Sequence, residues 1–150
     1  MAIFPARVLL ATDGSPDATL AARSAIELCE KTGSELHVVH VGEYLPTYFA
    51  YTEEEPAELR RNAQRLLEGQ SESIRAAGGN VAGSHLRLGR PAEQIIDLSE
   101  DLGAGVIVVG SRGQSALRRA VMGSVSEDVV RYAHCPVFVV RSEAGTRPTR

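Results

Sequence analysis

Three glycines and a serine stand at a spacing suited to holding an anion: Gly110, Gly113 two residues on, and Gly123-Ser124 after nine more. They follow Val106, Ile107, Val108 and Val109, an apolar run that reads as a buried strand. They precede a helical pattern with Val125, Val129, Val130 and Ala133 on one face. Glycine lets backbone N–H groups approach a ligand with no Cβ in the way. A helix start adds unpaired N–H donors and a partial positive charge. Strand, glycine-punctuated loop and helix start together favour phosphate. Ser124-x-x-Glu127 matches a capping box, which begins the helix at Ser124. Arg112, Arg118 and Arg119 bring cations in or beside the loop. The same residues also fit a plain surface loop in which the glycines serve turns, the serine serves a cap and Arg112 is a solvated cation. The P-loop form is absent, because no Gly-Lys-Ser/Thr follows the glycines, and so is the G-x-G-x-x-G spacing.

A second candidate is Asp13, which follows an apolar strand and precedes Gly14. A carboxylate there suits ribose hydroxyls or a magnesium ion. It equally suits an Asx-turn, in which Asp accepts from its own backbone. Ala11 and Thr12 would line the same wall with backbone groups. Histidines His37 and His40 lie on a strand beside valines, and His134 falls near a helix C-terminus, where a partly charged ring is favourable. No two histidines have ligand spacing with a Cys, Asp or Glu, so no metal site made only of protein groups is expected.

The elements that must position these residues alternate. Arg7 to Ala11 reads as a first strand, and Ser15-Pro16 as the cap and first turn of a helix. That helix carries Ala18, Ala22, Ala25, Ile26 and Cys29 and closes at Gly33. Glu35 to Val41 is a second strand. Gly42 to Thr52 is irregular and holds four of the seven aromatics: Tyr44, Tyr48, Phe49 and Tyr51. Thr52-x-x-Glu55 is another capping box, and Pro56 falls in the first turn of a helix using Leu59, Ala63, Leu66 and Ile74. Val81 to Leu88 is a third strand, placed at an edge because Gly83 interrupts it. Pro91 starts a third helix, with Ile95, Ile96 and Leu102 inward and Gly103 closing it. Gly105 to Val109 is the fourth strand. Pro136 to Arg141 is a fifth, with proline at its start as an edge strand tolerates. Residues 143–150 form a polar tail expected to be mobile.

Strand–helix alternation gives a parallel sheet covered on both faces. Right-handed crossovers make it a doubly wound α/β fold. Ligands in such folds bind beyond the carboxyl ends of the strands, where strand order reverses. The 150 residues suit one domain. A hydrophobic share of 43% and net charge of −3 are ordinary for a soluble protein and point to neither nucleic acid nor an anionic membrane. All but one of the 16 cations are arginine, the exception being Lys31. Cys29 and Cys135 make no disulfide framework. No apolar run approaches the roughly 18 residues of a membrane span. The N-terminus has no charged start before its apolar part, so a cytoplasmic location is expected.

The spacing Gly110-x2-Gly113-x9-Gly123-Ser124 resembles the nucleotide signature of the universal stress protein family. The opening R-V-L-L-A-T-D-G-S, the H-V-V-H-V strand, G-R-P-A-E-Q-I-I and H-C-P-V-F-V-V resemble that family's other blocks, in order. The likeness runs from about Arg7 to Arg141. It implies five parallel strands in the order 3-2-1-4-5, with the first and fourth side by side, so that Asp13 and Gly110 flank the reversal. It implies ATP or another adenine nucleotide as ligand, with Mg2+. Val41 would pack on the adenine. Gly110, Gly113, Gly123 and Ser124 would hold phosphate and ribose, with Val125 and Ser126 following at the helix start and Arg112 near the phosphates. It also implies a homodimer through the strand at 136–141. The leading expectation is a regulatory nucleotide-binding protein of the stress response; the alternative is a slow ATPase or phosphotransferase at the same site. Phosphoryl transfer needs charge neutralisation and an oriented nucleophile, and this chain has no P-loop lysine and no evident base beyond Asp13. A phosphorylated receiver domain would want an aspartate after the third strand, where Leu88-Gly89-Arg90 stands.

Overall fold

Nine elements alternate through the chain: β1 (Arg7–Ala11), α1 (Pro16–Thr32), β2 (Glu35–Glu43), α2 (Ala57–Ala76), β3 (Val81–Gly89), α3 (Pro91–Leu102), β4 (Val106–Gly110), α4 (Ser124–Tyr132) and β5 (Val137–Val140). The structure, a computed structural model, describes residues 6–45, 57–112 and 122–142. The strands form one parallel sheet in the order β3-β2-β1-β4-β5. The expected α/β architecture and the reversal between β1 and β4 are therefore both present. The second capping box at Thr52 to Glu55, Pro56, the aromatics Tyr48, Phe49 and Tyr51, and the 143–150 tail all lie outside the described residues.

Each face of the sheet has its own core. Val8, Leu10, Leu36, Val38, Val106 and Val108 pack against α1 and α2 through Ala21, Ala25, Ile26, Leu67 and Ile74. Leu9, Val39, Ile107 and Val109 pack against α3 and α4 through Ile95, Leu98 and Val129. Side chains alternate faces along a strand, so β-branched runs such as Val106–Val109 feed both cores at once. Helix boundaries follow local chemistry. Ser15 accepts a hydrogen bond from the Ala18 amide at 3.2 Å, Pro16 opens α1, and Gly33 closes it at φ +74°.

Three helices turn other faces inward than hydrophobicity alone predicts. In α2, Leu67 and Ser71 are buried and Leu66 is not; Ser71 is tolerated because its hydroxyl meets that of Ser84 on β3 at 2.9 Å. In α3, Leu98 and Ser99 are buried where Ile96 and Leu102 were expected; Ser99 donates back to the Ile96 carbonyl. In α4, Ser126 and Val129 are buried, while Val125 and Val130 are exposed. A self-satisfied serine costs little to bury, so it competes with a valine for the inward position.

The edge position of β3 follows the interruption at Gly83. Leu36 pairs with Val81 but His37 pairs with Gly83, so Ala82 is an extra residue that bulges the strand. At the opposite edge β5 carries exposed Phe138.

Candidate functional site

β1 ends at Ala11 and β4 at Gly110, on adjacent parallel strands. β2 continues to Glu43, past Val39, the partner of Ala11. Val41 therefore stands two residues, about 7 Å, beyond the end of β1. It is partly buried against the α3/α4-side core. Beyond the carboxyl end of β1, the β2 side is thus formed by the strand's last residues, with Val41 the apolar one among them.

The floor on the β1 side is a turn with its own internal bonds and a tie to β2. Asp13 Oδ1 accepts the Ser15 amide at 2.9 Å, the Asx-turn geometry. Gly14 follows at φ +79°, a left-handed conformation that favours glycine. Thr12 is buried. Its amide donates to the Val39 carbonyl at 2.9 Å, and its own carbonyl accepts from His40 Nδ1 at 2.8 Å. The backbone of Thr12 is thus bonded on both sides to β2, at Val39 and at the side chain of His40. Ala11 sits at the strand end, half-buried.

On the β4 side, the polar groups reach to other elements. The Ser111 amide donates to the Val140 carbonyl of β5 at 2.8 Å. The Ser111 carbonyl accepts from the Gly123 amide at 2.6 Å and from the buried Ser126 hydroxyl at 2.8 Å. The chain leaves β4 and returns to α4 at one point, so the N-terminus of α4 is pinned beside the end of β4. Gly123 is the N-cap and has no side chain to cap with, and Ser124 is the first helical residue, one position past the cap. The capping box read from Ser124 and Glu127 is therefore not formed. Ser126 does the bracing instead. Ser124 and Val125 are exposed, and the amides of the first turn have no acceptor within the helix. Gly113, Arg118 and Arg119 lie outside the described residues.

Arg112 is neither a free cation nor a solvated one. Its guanidinium is bidentate to Asp17 at the start of α1, Nε to Oδ2 at 3.1 Å and a terminal nitrogen to Oδ1 at 3.2 Å. Ser111 donates to the same carboxylate at 2.9 Å. The Asp17 side chain is 3% exposed and that of Arg112 is 18% exposed. Burial by itself would raise the Asp17 carboxyl; the hydrogen bonds from Arg112 and Ser111 and the charge of Arg112 outweigh it and hold the group below its usual value. Ser15 Oγ also bridges to the Arg112 carbonyl at 3.4 Å. Gly110 joins this seam for a steric reason. A Cβ there would sit 2.8 Å from the Asp17 carbonyl carbon and 2.9 Å from its oxygen. Gly110 is thus required by the close approach of β4 to α1, whatever else it does. Asp17 and Ser111 were not picked out from sequence. An acidic residue in a helix's first turn is commonplace, and its partner is 95 residues away.

Other titratable groups lie elsewhere. His134 Nδ1 pairs with Glu100 at 2.9 Å. Burial pushes the Cys29 thiol up to about 11 and raises Cys135 as well. Among the described residues no group of three or more His, Cys, Asp and Glu is placed to hold a metal, and no helix is long and apolar enough to cross a membrane.

A doubly wound sheet in the order 3-2-1-4-5, with a helix N-terminus set at the reversal point, defines a class of α/β proteins that take anionic ligands there. Residues 6–141 match the model of the Universal stress protein family. The chain belongs to that family. It is 32% identical over 148 residues to Universal stress protein YxiE of Bacillus subtilis strain 168, covering 90% of this chain and 98% of that one. Among solved structures it is similar to hypothetical protein MJ0577, at a TM-score of 0.76 and 26% identity over 93% of this chain and 97% of that chain. It is also similar to the universal stress protein from Archaeoglobus fulgidus in complex with dAMP, at a TM-score of 0.69 and 28% identity over 94% of this chain and 100% of that chain.

Proposed function

We propose that this chain binds an adenine nucleotide, ATP in the first instance, beyond the carboxyl ends of β1 and β4, and that binding regulates its shape or assembly in a stress response. The observation that carries this reading is the pinned N-terminus of α4 beside Gly110, in a fold whose Archaeoglobus relative holds dAMP. Adenine packs on Val41. Asp13 accepts from the ribose or reaches a magnesium ion, and Ala11 and Thr12 form the floor. The phosphates take the amides of Gly113, Ser124, Val125 and Ser126, with the Ser124 hydroxyl adding a donor, while Gly123, whose own amide is held by the Ser111 carbonyl, sets the start of the helix. Arg112 acts at one remove, by fixing the start of the loop. The donor set fits Mg2+ only as an ion carried in on the phosphates. Asp13 is the one carboxylate proposed for it, and Mg2+ ordinarily keeps several waters and one or two carboxylates beside its phosphates.

Binding is the favoured reading over turnover because Arg112, the cation at the end of β4, is held by Asp17 instead of being left to neutralise a transferring phosphoryl group. The exposed β5 edge, with Phe138, Tyr132 and Val130 about half exposed beside it, supports a homodimer through residues 136–141.

Thermal unfolding with and without ATP and Mg2+ tests the site. At a hundred times the dissociation constant, stabilisation is about 2.7 kcal/mol, a rise of roughly 5–10 °C for a chain of this length. Gly113→Val and Gly123→Val should each remove the rise. Equal shifts in variants and parent defeat the assignment, and turnover above about one per second favours the enzyme reading. A monomer by light scattering at micromolar concentration overturns the dimer.

A further inference from the structure

At the other end of the sheet, two imidazoles face each other across β2 and β3. His37 Nδ1 lies 3.1 Å from His85 Nε2. The rings are 5.3 Å apart by centroid, with 27° between their planes. On its far side His37 Nε2 meets Glu35 Oε2 at 3.1 Å. Since a carboxylate only accepts, a neutral His37 carries its proton on Nε2 and turns its Nδ1 lone pair toward His85. A carboxylate behind a histidine is the usual outer partner of a metal-ligating imidazole. Gly83 completes the arrangement. It pairs with His37 across the bulge, and a Cβ on it would stand 2.7 Å from His37 Nδ1 and 2.9 Å from His85 Nε2. The missing side chain leaves a notch against both nitrogens at once.

We propose that His37 and His85 form a two-imidazole clasp for a borderline divalent ion of the zinc, nickel or copper type, with water filling the remaining positions. Nitrogens bound at about 2.0–2.1 Å stand roughly 2.9 Å apart at a right angle and about 3.3 Å apart at a tetrahedral one. The observed 3.1 Å lies between, a separation an ion can bridge once the rings turn from each other toward the notch. On entry the His85 ring proton passes from Nε2 to Nδ1 through solvent, and both lone pairs then point at the metal. The charges around the clasp are paired. Glu35 is bridged by Arg7 at 3.5 Å, and Arg87 by Asp101 at 3.2 Å. His37 precedes Val41 by four residues, about 13 Å along β2, so the clasp is separate from the crevice at the carboxyl ends.

The test uses the nucleotide-free chain in a non-chelating buffer. Calorimetry with Zn2+ alone should give one ion per chain, and Mg2+ alone should give no heat. Substoichiometric Cu2+ should broaden the ring signals of His37 and His85 in NMR spectra and spare those of His40 and His134. His85→Asn should abolish Zn2+ binding and leave the circular dichroism unchanged. Gly83→Ala, which keeps both imidazoles, should do the same by filling the notch. Glu35→Gln should weaken Zn2+ about tenfold. Wild-type affinity in His85→Asn, absence of Zn2+ heat in the parent, or Cu2+ broadening that centres on His134 would each overturn the clasp and leave a plain imidazole–imidazole hydrogen bond.

Discussion

The two loops that flank the reversal of strand order are built on opposite plans. The β1 turn is largely local: Asp13 accepts from Ser15, Thr12 Oγ1 accepts from Gly14, and Ser15 caps its own helix, while Thr12 reaches out to Val39, His40 and Gln70 and Ser15 to the Arg112 carbonyl. The β4 connection is distant: Ser111 and Arg112 reach Asp17 on α1, and the Ser111 carbonyl collects the start of α4. The Asp13 and Ser15 caps are robust because each spans two or three residues. A distant seam fixes elements relative to one another, which is what a loop needs if its amides are to converge. Damage to the β1 turn should therefore stay small and local, while damage to the β4 seam should spread.

The largest effect is expected at Asp17. Asp17→Ala strands the Arg112 guanidinium and the Ser111 hydroxyl together, and removing one partner of a buried pair costs about 3–5 kcal/mol. Chemical denaturation should show it; a loss under 1 kcal/mol would put the seam on a par with the turn. Gly110→Ala comes next. Its Cβ meets the Asp17 backbone, and overpacking costs about 1–3 kcal/mol, read as a lower Tm. Ser126→Ala removes the hydroxyl that braces α4, for about 1 kcal/mol, and faster amide exchange in the first turn of α4 is the specific sign. Acid separates the two plans further. The Asp17 carboxyl is held below its usual 3.8 in the folded chain. Its contribution is complete above that value and is lost as pH falls through the lower folded value. Asp17→Asn should flatten the stability profile below pH about 3.8, and an unchanged acid limb counts against the ion pair. The smallest effect is Asp13→Asn, which keeps the Asx bond and should shift Tm by no more than about 1–2 °C.

Much of the scaffold was legible in the chain, because its signals are short-range. Ser15-Pro16 and Gly33 bound α1 through contacts within four residues. Gly83 announces the irregularity in β3. The reversal between β1 and β4 came from likeness to a family rather than from periodicity. What stayed hidden is long-range or polar. The inward serines of α2, α3 and α4 find acceptors that hydropathy does not encode. Arg112 looked like a loop cation because Asp17 lies a whole domain's length away in sequence. Gly110 looked like a ligand contact, yet its nearest constraint is the α1 backbone.

The extra residue at Ala82 has one more consequence. It twists the β3 side of the sheet out of register with any straight newcomer, and so blunts that border. The β5 border has no such kink. A ribbon that can be lengthened from only one side has a built-in stopping rule: two copies joined through β5, as in the proposed homodimer, would present only blunted borders outward, and such an assembly would close as a pair instead of growing into a fibre.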